Sequence, residues 1–134
     1  FDQTQGFISG IAPMLVSGPY LANGVSSAAP ELDGKWQASP LPAGDGGSIS
    51  LFAGSNLGIL HNSDQVDQSL ALLDYISQPE QQLAWYKLTG ELPTVNAALS
   101  DATLNADPNV QVYTAQLATA KVLPIVFWWI AGIW

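Results

Sequence analysis

The chain has 134 residues, enough for one modest domain with a core, yet only 10% of them are charged while 48% are apolar and mean hydropathy is +0.19. A soluble domain averages about 25% charged residues, so much of this surface must be neutral and polar, or covered. The net charge is −8, arginine is absent, and Lys35, Lys87 and Lys121 are scattered. That excludes the clustered basic side chains that phosphate backbones and anionic membranes need. The absence of cysteine excludes disulfide scaffolds, thiol catalysis and thiolate metal sites.

The opening stretch Phe1-Asp2-Gln3-Thr4-Gln5 is polar with no basic start, so no signal peptide is expected there. Residues 11–17 are apolar and read as a strand, with Pro13 marking an edge or a bulge. They lead to Gly18-Pro19-Tyr20. A glycine lets the backbone turn or approach a partner closely, and proline sets φ for a first helical turn. The Tyr20 ring therefore projects from a stiff corner, suited to stacking on a flat apolar face such as that of a sugar. A core tyrosine beside a turn is the plainer alternative.

Pro19 to Ser27 is expected as a short helix, ended by the turn cluster Pro30-Glu31-Leu32-Asp33-Gly34. Strands are expected at 35–39, 48–52 and 57–60, with the turn-rich Pro40–Gly47 and Ala53-Gly54-Ser55-Asn56 between them. Val66, Leu70, Leu73 and Ile76 recur at helical spacing and predict a helix over 63–76, capped by Ser63 or Asn62. Ser77-Gln78-Pro79-Glu80 reads as a capping box with a first-turn proline. It opens a second helix over 78–89 that stops at Gly90. A helical turn is expected at Asn96–Leu99, and Asp107-Pro108 opens a helix carrying Val110, Tyr113 and Leu117. Val122 to Trp134 is thirteen apolar or small residues with three tryptophans. It is too short to span a bilayer, which takes about 20 residues, and is expected to pack on a surface rather than hang free. The abrupt start and this apolar end suggest a chain truncated at both ends.

No catalytic constellation emerges. His61 is the sole histidine and has no close-spaced metal ligands beside it, so a structural or surface role is expected. Asp64, Asp67 and Asp74 fit the solvated face of a helix. No pair of carboxylates shares a predicted cleft, as a glycosidase requires. There is no Gly-x-Ser-x-Gly elbow, and Gly44-Asp45-Gly46-Gly47 lacks the lysine of a phosphate loop. Tyr20, Trp36, Phe52, Trp128 and Trp129 fall near turns or element ends, whereas Trp85 and Tyr86 read as core packing on a helix.

Several stretches, taken in order, resemble the C-terminal half of the extracellular solute-binding proteins that deliver sugars to ABC transporters, the maltose-binding-protein-like group. Phe7-x-x-Gly10-x-Ala12-Pro13-Met14-x-x-x-Gly18-Pro19-Tyr20 is similar to that family's Phe-x-x-Gly-Lys-Ala-Ala-Met-x-x-x-Gly-x-Trp motif, with Pro13 in place of an alanine and Tyr20 in place of the tryptophan. Pro40-Leu41-Pro42 resembles its proline-rich strand exit, and Phe52-Ala53-Gly54 its Gly-Gly before an apolar strand. Ser77-Gln78-Pro79-Glu80-Gln81-Gln82, followed by Gly90-Glu91-Leu92-Pro93-Thr94, is similar to its Ser-Pro-Glu-x-Gln…Gly-x-Leu-Pro segment. Asp107-Pro108, then Pro124 and Trp128-Trp129, fit its closing part.

The resemblance implies an α/β, helix-rich, C-terminal part of a two-lobed type II periplasmic-binding-protein fold. It places residues 1–52 and 98–134 in the C-terminal lobe and 53–97 in a segment crossing to the N-terminal lobe. It implies a non-enzymatic, extracytoplasmic protein, periplasmic or a cell-surface lipoprotein. Such a protein captures a sugar or oligosaccharide between lobes for ABC transporter permease subunits, without cofactor, metal or nucleic acid. Most of the N-terminal lobe of the same protein is expected to lie outside this chain. Tyr20 would stack on the sugar, Gly54 and Ser55 would supply polar contacts, and Trp128 or Trp129 a second platform. Two alternatives remain: a non-catalytic interaction or membrane-associated module docking through the apolar C-terminal segment, and a hydrolase on a similar scaffold.

Overall fold

A computed structural model of the chain describes residues 2–122. Two short helices open it. α1 (Gln3–Ile8) is capped by Asp2, whose carboxylate accepts a hydrogen bond from the Gln5 N–H at 2.9 Å. α2 (Tyr20–Ala28) begins after Pro19, at φ −62°, within one residue of the expected start. α1 packs on α2.

Helices α3 (Val66–Ser77) and α4 (Pro79–Thr89) follow, with the break near Ser77 where the sequence placed it. Both caps differ from expectation. α3 starts at Val66 rather than at residue 63. The Ser63 hydroxyl accepts from the Gln65 N–H at 3.1 Å and closes a turn ahead of the helix. Ser77 is the last residue of α3, and its hydroxyl donates to the Asp74 carbonyl at 2.8 Å. Gln78 then occupies the N-cap of α4 with no side-chain cap bond, so the capping box does not form. The C-terminal stop is as expected: Gly90 adopts φ +77° and donates to the Tyr86 carbonyl at 2.7 Å. α5 (Asn96–Leu99) is the expected helical turn. In α6 (Pro108–Leu117), Asp107 accepts from the Asn109 N–H at 2.8 Å and Pro108 fills the first turn.

The strands expected at 11–17, 35–39, 48–52 and 57–60 do not form among the described residues. Residues 33–65 hold no helix, and pairing is limited to isolated bridges, Gly44 with Gly47 and Leu51 with Lys121. A strand is a property of a pair: alternation along one segment supplies no partner for its N–H and C=O groups. The one parallel contact is short, with the Phe52 N–H donating to the Lys121 carbonyl at 2.8 Å and the Lys121 N–H to the Ser50 carbonyl at 2.9 Å. Side-chain amides of α6 take over the role of a ladder nearby. Asn109 Oδ1 accepts from the Ala38 N–H at 2.7 Å, and Gln116 Oε1 from the Leu41 N–H at 3.0 Å. Gln116 Nε2 donates to the Ser48 carbonyl at 3.2 Å.

Val25, Ala29, Ala98, Leu104 and Val110 form the buried core of the described residues. These residues come from α2 and its C-cap, from α5, from the 3-10 turn Leu104–Ala106 and from the first turn of α6. The apolar excess of the composition lies largely on the surface. Ile11, Met14 and Val16 are 76–88% exposed, Leu57 and Leu60 are 68% and 77% exposed, and α3 presents Leu70, Leu72 and Tyr75 outward. Among the described residues no helix is long and apolar enough to cross a membrane.

Candidate functional site

The Gly18-Pro19-Tyr20 corner is built as the sequence suggested, for a different reason. Gly18 does not use a left-handed backbone; the positive-φ glycines among the described residues are Gly10, Gly34, Gly47 and Gly90. It leaves room for the ring, because a Cβ there would meet Tyr20 Cε1 at 2.6 Å and the ring would have to shift. The Tyr20 ring therefore lies over bare backbone and is half exposed. On the other side, Tyr20 is held by α4. A Cβ on Gly90 would lie 3.2 Å from Tyr20 Cα and 2.6 Å from Asn23 Cβ. Asn23 Nδ2 donates to the Leu88 carbonyl at 3.3 Å. The C-terminal end of α4 is thus seated on the first turn of α2.

Beside this contact a cavity of about 200 Å³ opens between α2, α4 and α6. Asn23 and Ser26 line it from α2, Tyr86 and Lys87 from α4, and Asp107, Asn109 and Tyr113 from the start of α6. Burial pushes the Tyr113 hydroxyl above its ordinary value, with the ionisable Tyr20 and the Asp107 carboxylate adding to it. Tyr86 is raised as well, by burial first and then by Asp107. Both phenols therefore stay neutral donors well into the alkaline range. A second cavity of about 250 Å³ shares Tyr86, Lys87 and Asp107 and adds Leu83, Thr103 and Leu104.

The other sequence candidates are dispersed. Gly54 and Ser55 are exposed in the irregular 53–60 stretch, Gly54 with nothing near its Cβ position, and neither lines the cavities found beside Tyr20. Trp128 and Trp129 lie outside the described residues, as does nearly all of the Val122–Trp134 run. Trp36 packs its ring edge-on against Phe7, with centroids 6.0 Å apart, and so serves the fold. Trp85, assigned to core packing, is instead 56% exposed, and its indole N–H donates to Glu91 at 2.8 Å. The sequence reading missed Tyr86 and Tyr113 as cavity-lining groups. Their helical spacing showed which face each occupies, but not that the two faces meet. His61 is exposed, and no cluster of metal-ligating side chains occurs among the described residues.

Comparison with known proteins agrees with this architecture. The family model of the bacterial extracellular solute-binding protein matches residues 2–112. Binding proteins of Brucella abortus and Brucella suis are 26% identical over 126 residues, covering 92% of this chain. The structure of the sugar-binding protein MalE from the phytopathogen Xanthomonas citri superposes with a TM-score of 0.77 at 28% identity over 97% of this chain. The chain spans 30% of the length of the Brucella proteins and 33% of that of the Xanthomonas chain. Its fold is therefore the helix-rich portion of a two-lobed, MalE-type architecture. With the family model matching 2–112, the chain belongs to the bacterial extracellular solute-binding proteins.

Proposed function

We propose that this chain is part of the carbohydrate-binding component of an ABC import system, working outside the cytoplasm without catalysis. The observation that carries the reading is the Tyr20 corner: a half-exposed ring laid over Gly18, at the position where the family motif carries tryptophan. Stacking on the apolar face of a sugar uses such a ring without demanding burial. The MalE neighbour, itself named a sugar-binding protein, favours the same ligand class. Gly54 and Ser55 supply polar contacts in this reading, and Trp128 or Trp129 a second platform. Permease subunits are the downstream partner.

We also assign 1–52 and 98–134 to one lobe and 53–97 to a crossing segment of the other. The helix-free run of 33–65 contains the first of these boundaries. The exposed Ile11, Met14 and Val16 are then surface that the remainder of the protein covers. Closure of the lobes on the ligand follows if the closed state binds sugar more tightly than the open one.

The test is calorimetry on the intact protein with a panel of mono- and oligosaccharides. Tyr20→Ala should weaken binding of the accepted sugar about fivefold or more, the equivalent of about 1 kcal/mol, with little change in melting temperature. Undiminished affinity in that variant returns Tyr20 to packing. A panel without any ligand removes the sugar assignment.

A further inference from the structure

Asn23-Gly24 is the one Asn-Gly pair in the chain. Such a pair is chemically labile, because glycine carries no Cβ to hinder a ring closure. The Gly24 amide nitrogen attacks Cγ of the Asn23 side chain. A C–N bond forms and closes a five-membered succinimide. The Cγ–Nδ2 bond breaks, and the side-chain nitrogen leaves as ammonia with the proton that Gly24 gave up. Water then adds to either carbonyl of the ring and opens it to aspartate or isoaspartate. The closure has three requirements. The Gly24 nitrogen must be free of other bonds, the Asn23 side chain must be able to swing, and the main chain must be able to leave helical values.

The fold denies all three. Gly24 lies in the middle of α2, so its N–H belongs to the helical ladder. The Asn23 side chain is held by α4, donating from Nδ2 to the Leu88 carbonyl at 3.3 Å. The Gly90 main chain lies against it, since a Cβ there would sit 2.6 Å from Asn23 Cβ. From the other side α1 closes on the glycine: a Cβ on Gly24 would lie 3.4 Å from Thr4 Oγ1. α2 has only nine residues, and an isolated helix shorter than about 12–15 residues is marginal in water. Its ladder at Gly24 therefore stands on its packing against α1 and α4. We propose that Asn23 is a cryptic deamidation site, closed while α1 and α4 clamp α2 and reactive when the clamp opens. Its rate is then the population of the opened state multiplied by the rate of the free pair. The mark is permanent. Isoaspartate carries one more main-chain carbon than asparagine, which the ladder of α2 has no place for.

Timed incubation of the intact protein at mildly alkaline pH tests this, with and without guanidinium chloride. Peptide mass spectrometry follows the segment containing Asn23, and chromatography separates the isoaspartyl product from the aspartyl one. Asn62-Ser63, in the exposed turn ahead of α3, is the internal reference. In full denaturant Asn23 should react faster than Asn62, and Gly24→Ala should remove that excess. In the native protein Asn23 should react at least about tenfold more slowly than in denaturant. Gly90→Ala, which forces α4 away from Asn23, should raise the native rate severalfold. Should that variant not fold, the wild-type protein in sub-denaturing guanidinium serves instead. There the loss of Asn23 should rise in step with hydrogen exchange at the Gly24 amide. Equal rates in native and denatured protein overturn the proposal. So does a native rate unchanged in a folded Gly90→Ala variant, or an Asn23 loss that does not follow Gly24 exchange.

Discussion

Replacing Gly90 by alanine should be far more damaging than replacing another left-handed glycine, because two penalties coincide there. The first is conformational: at φ +77° an L-residue costs about 1–2 kcal/mol relative to glycine. The second is steric. The new Cβ would sit 2.6 Å from Asn23 Cβ and 3.2 Å from Tyr20 Cα. Neither atom is the end of a flexible chain, so α2 and α4 must part, and overpacking of this kind costs about 1–3 kcal/mol. Gly90→Ala is thus expected to lose about 2–5 kcal/mol. Gly34 is the control, since it has φ +74° with nothing within 4 Å of its Cβ position, and only the first penalty applies. Urea unfolding followed by circular dichroism on the intact protein gives both values. The two substitutions should differ by about 1–3 kcal/mol. Equal destabilisation of both variants would refute the close approach of α4 to α2.

Gly18→Ala should displace the Tyr20 ring through the 2.6 Å clash with Cε1, lowering sugar affinity in titration calorimetry while barely moving the unfolding midpoint. Gln116→Leu removes the acceptor of the half-buried Leu41 N–H and the donor to the Ser48 carbonyl, and should cost about 1–3 kcal/mol. Hydrogen exchange at the Leu41 amide should speed up markedly in that variant. Raised pKa values at Tyr86 and Tyr113 mean that the unfolded chain gives up these protons first, so stability declines as pH climbs past the ordinary tyrosine value of 10.0. The double variant Tyr86→Phe/Tyr113→Phe should flatten that alkaline decline in melting temperature. Asp101 has the opposite sign: hydrogen bonds from Thr103 and Leu104 hold its carboxyl below the ordinary value. Its contribution is complete above the carboxylate range and fades as pH falls through the lowered value, so Asp101→Asn should blunt the acid slope of melting temperature.

The helices were readable because their signals are local. The spacing of Val66, Leu70, Leu73 and Ile76, the proline at residue 79, the glycine at residue 90 and the Asp107-Pro108 cap each act within one or two turns. α1 escaped notice because Gln3–Ile8 is short and contains Gly6; the Asp2 cap was its one legible sign. The expected strands failed because nothing in 35–39 or 57–60 reveals whether a partner lies alongside. In this chain Asn109 and Gln116, some seventy residues away, answer backbone groups at 38–48 that a ladder would otherwise satisfy. The Tyr20 corner was legible because glycine, proline and ring are adjacent in sequence. The cavity was not, because Asn23, Tyr86 and Tyr113 come from three helices far apart in sequence, two of which, α2 and α4, meet at the bare backbone of Gly90. Trp85 shows the converse error, since a helical position says nothing about which face a neighbouring element covers.

That bare backbone also sets how rigidly two helices are joined. A contact between side chains yields by rotamer changes, which absorb small displacements. Between Tyr20 and Gly90 there is main chain on both sides, with no rotatable group between them. The first turn of α2 and the end of α4 are therefore fixed relative to one another more tightly than a side-chain contact would fix them. From the first turn of α4, Gln82 holds the Ile76 carbonyl at 2.7 Å and the Thr94 N–H at 3.0 Å. α4 is thereby tied at both ends, to α2 through the Gly90 backbone and to Ile76 and Thr94 through Gln82, so any substitution that shifts one tie strains the other.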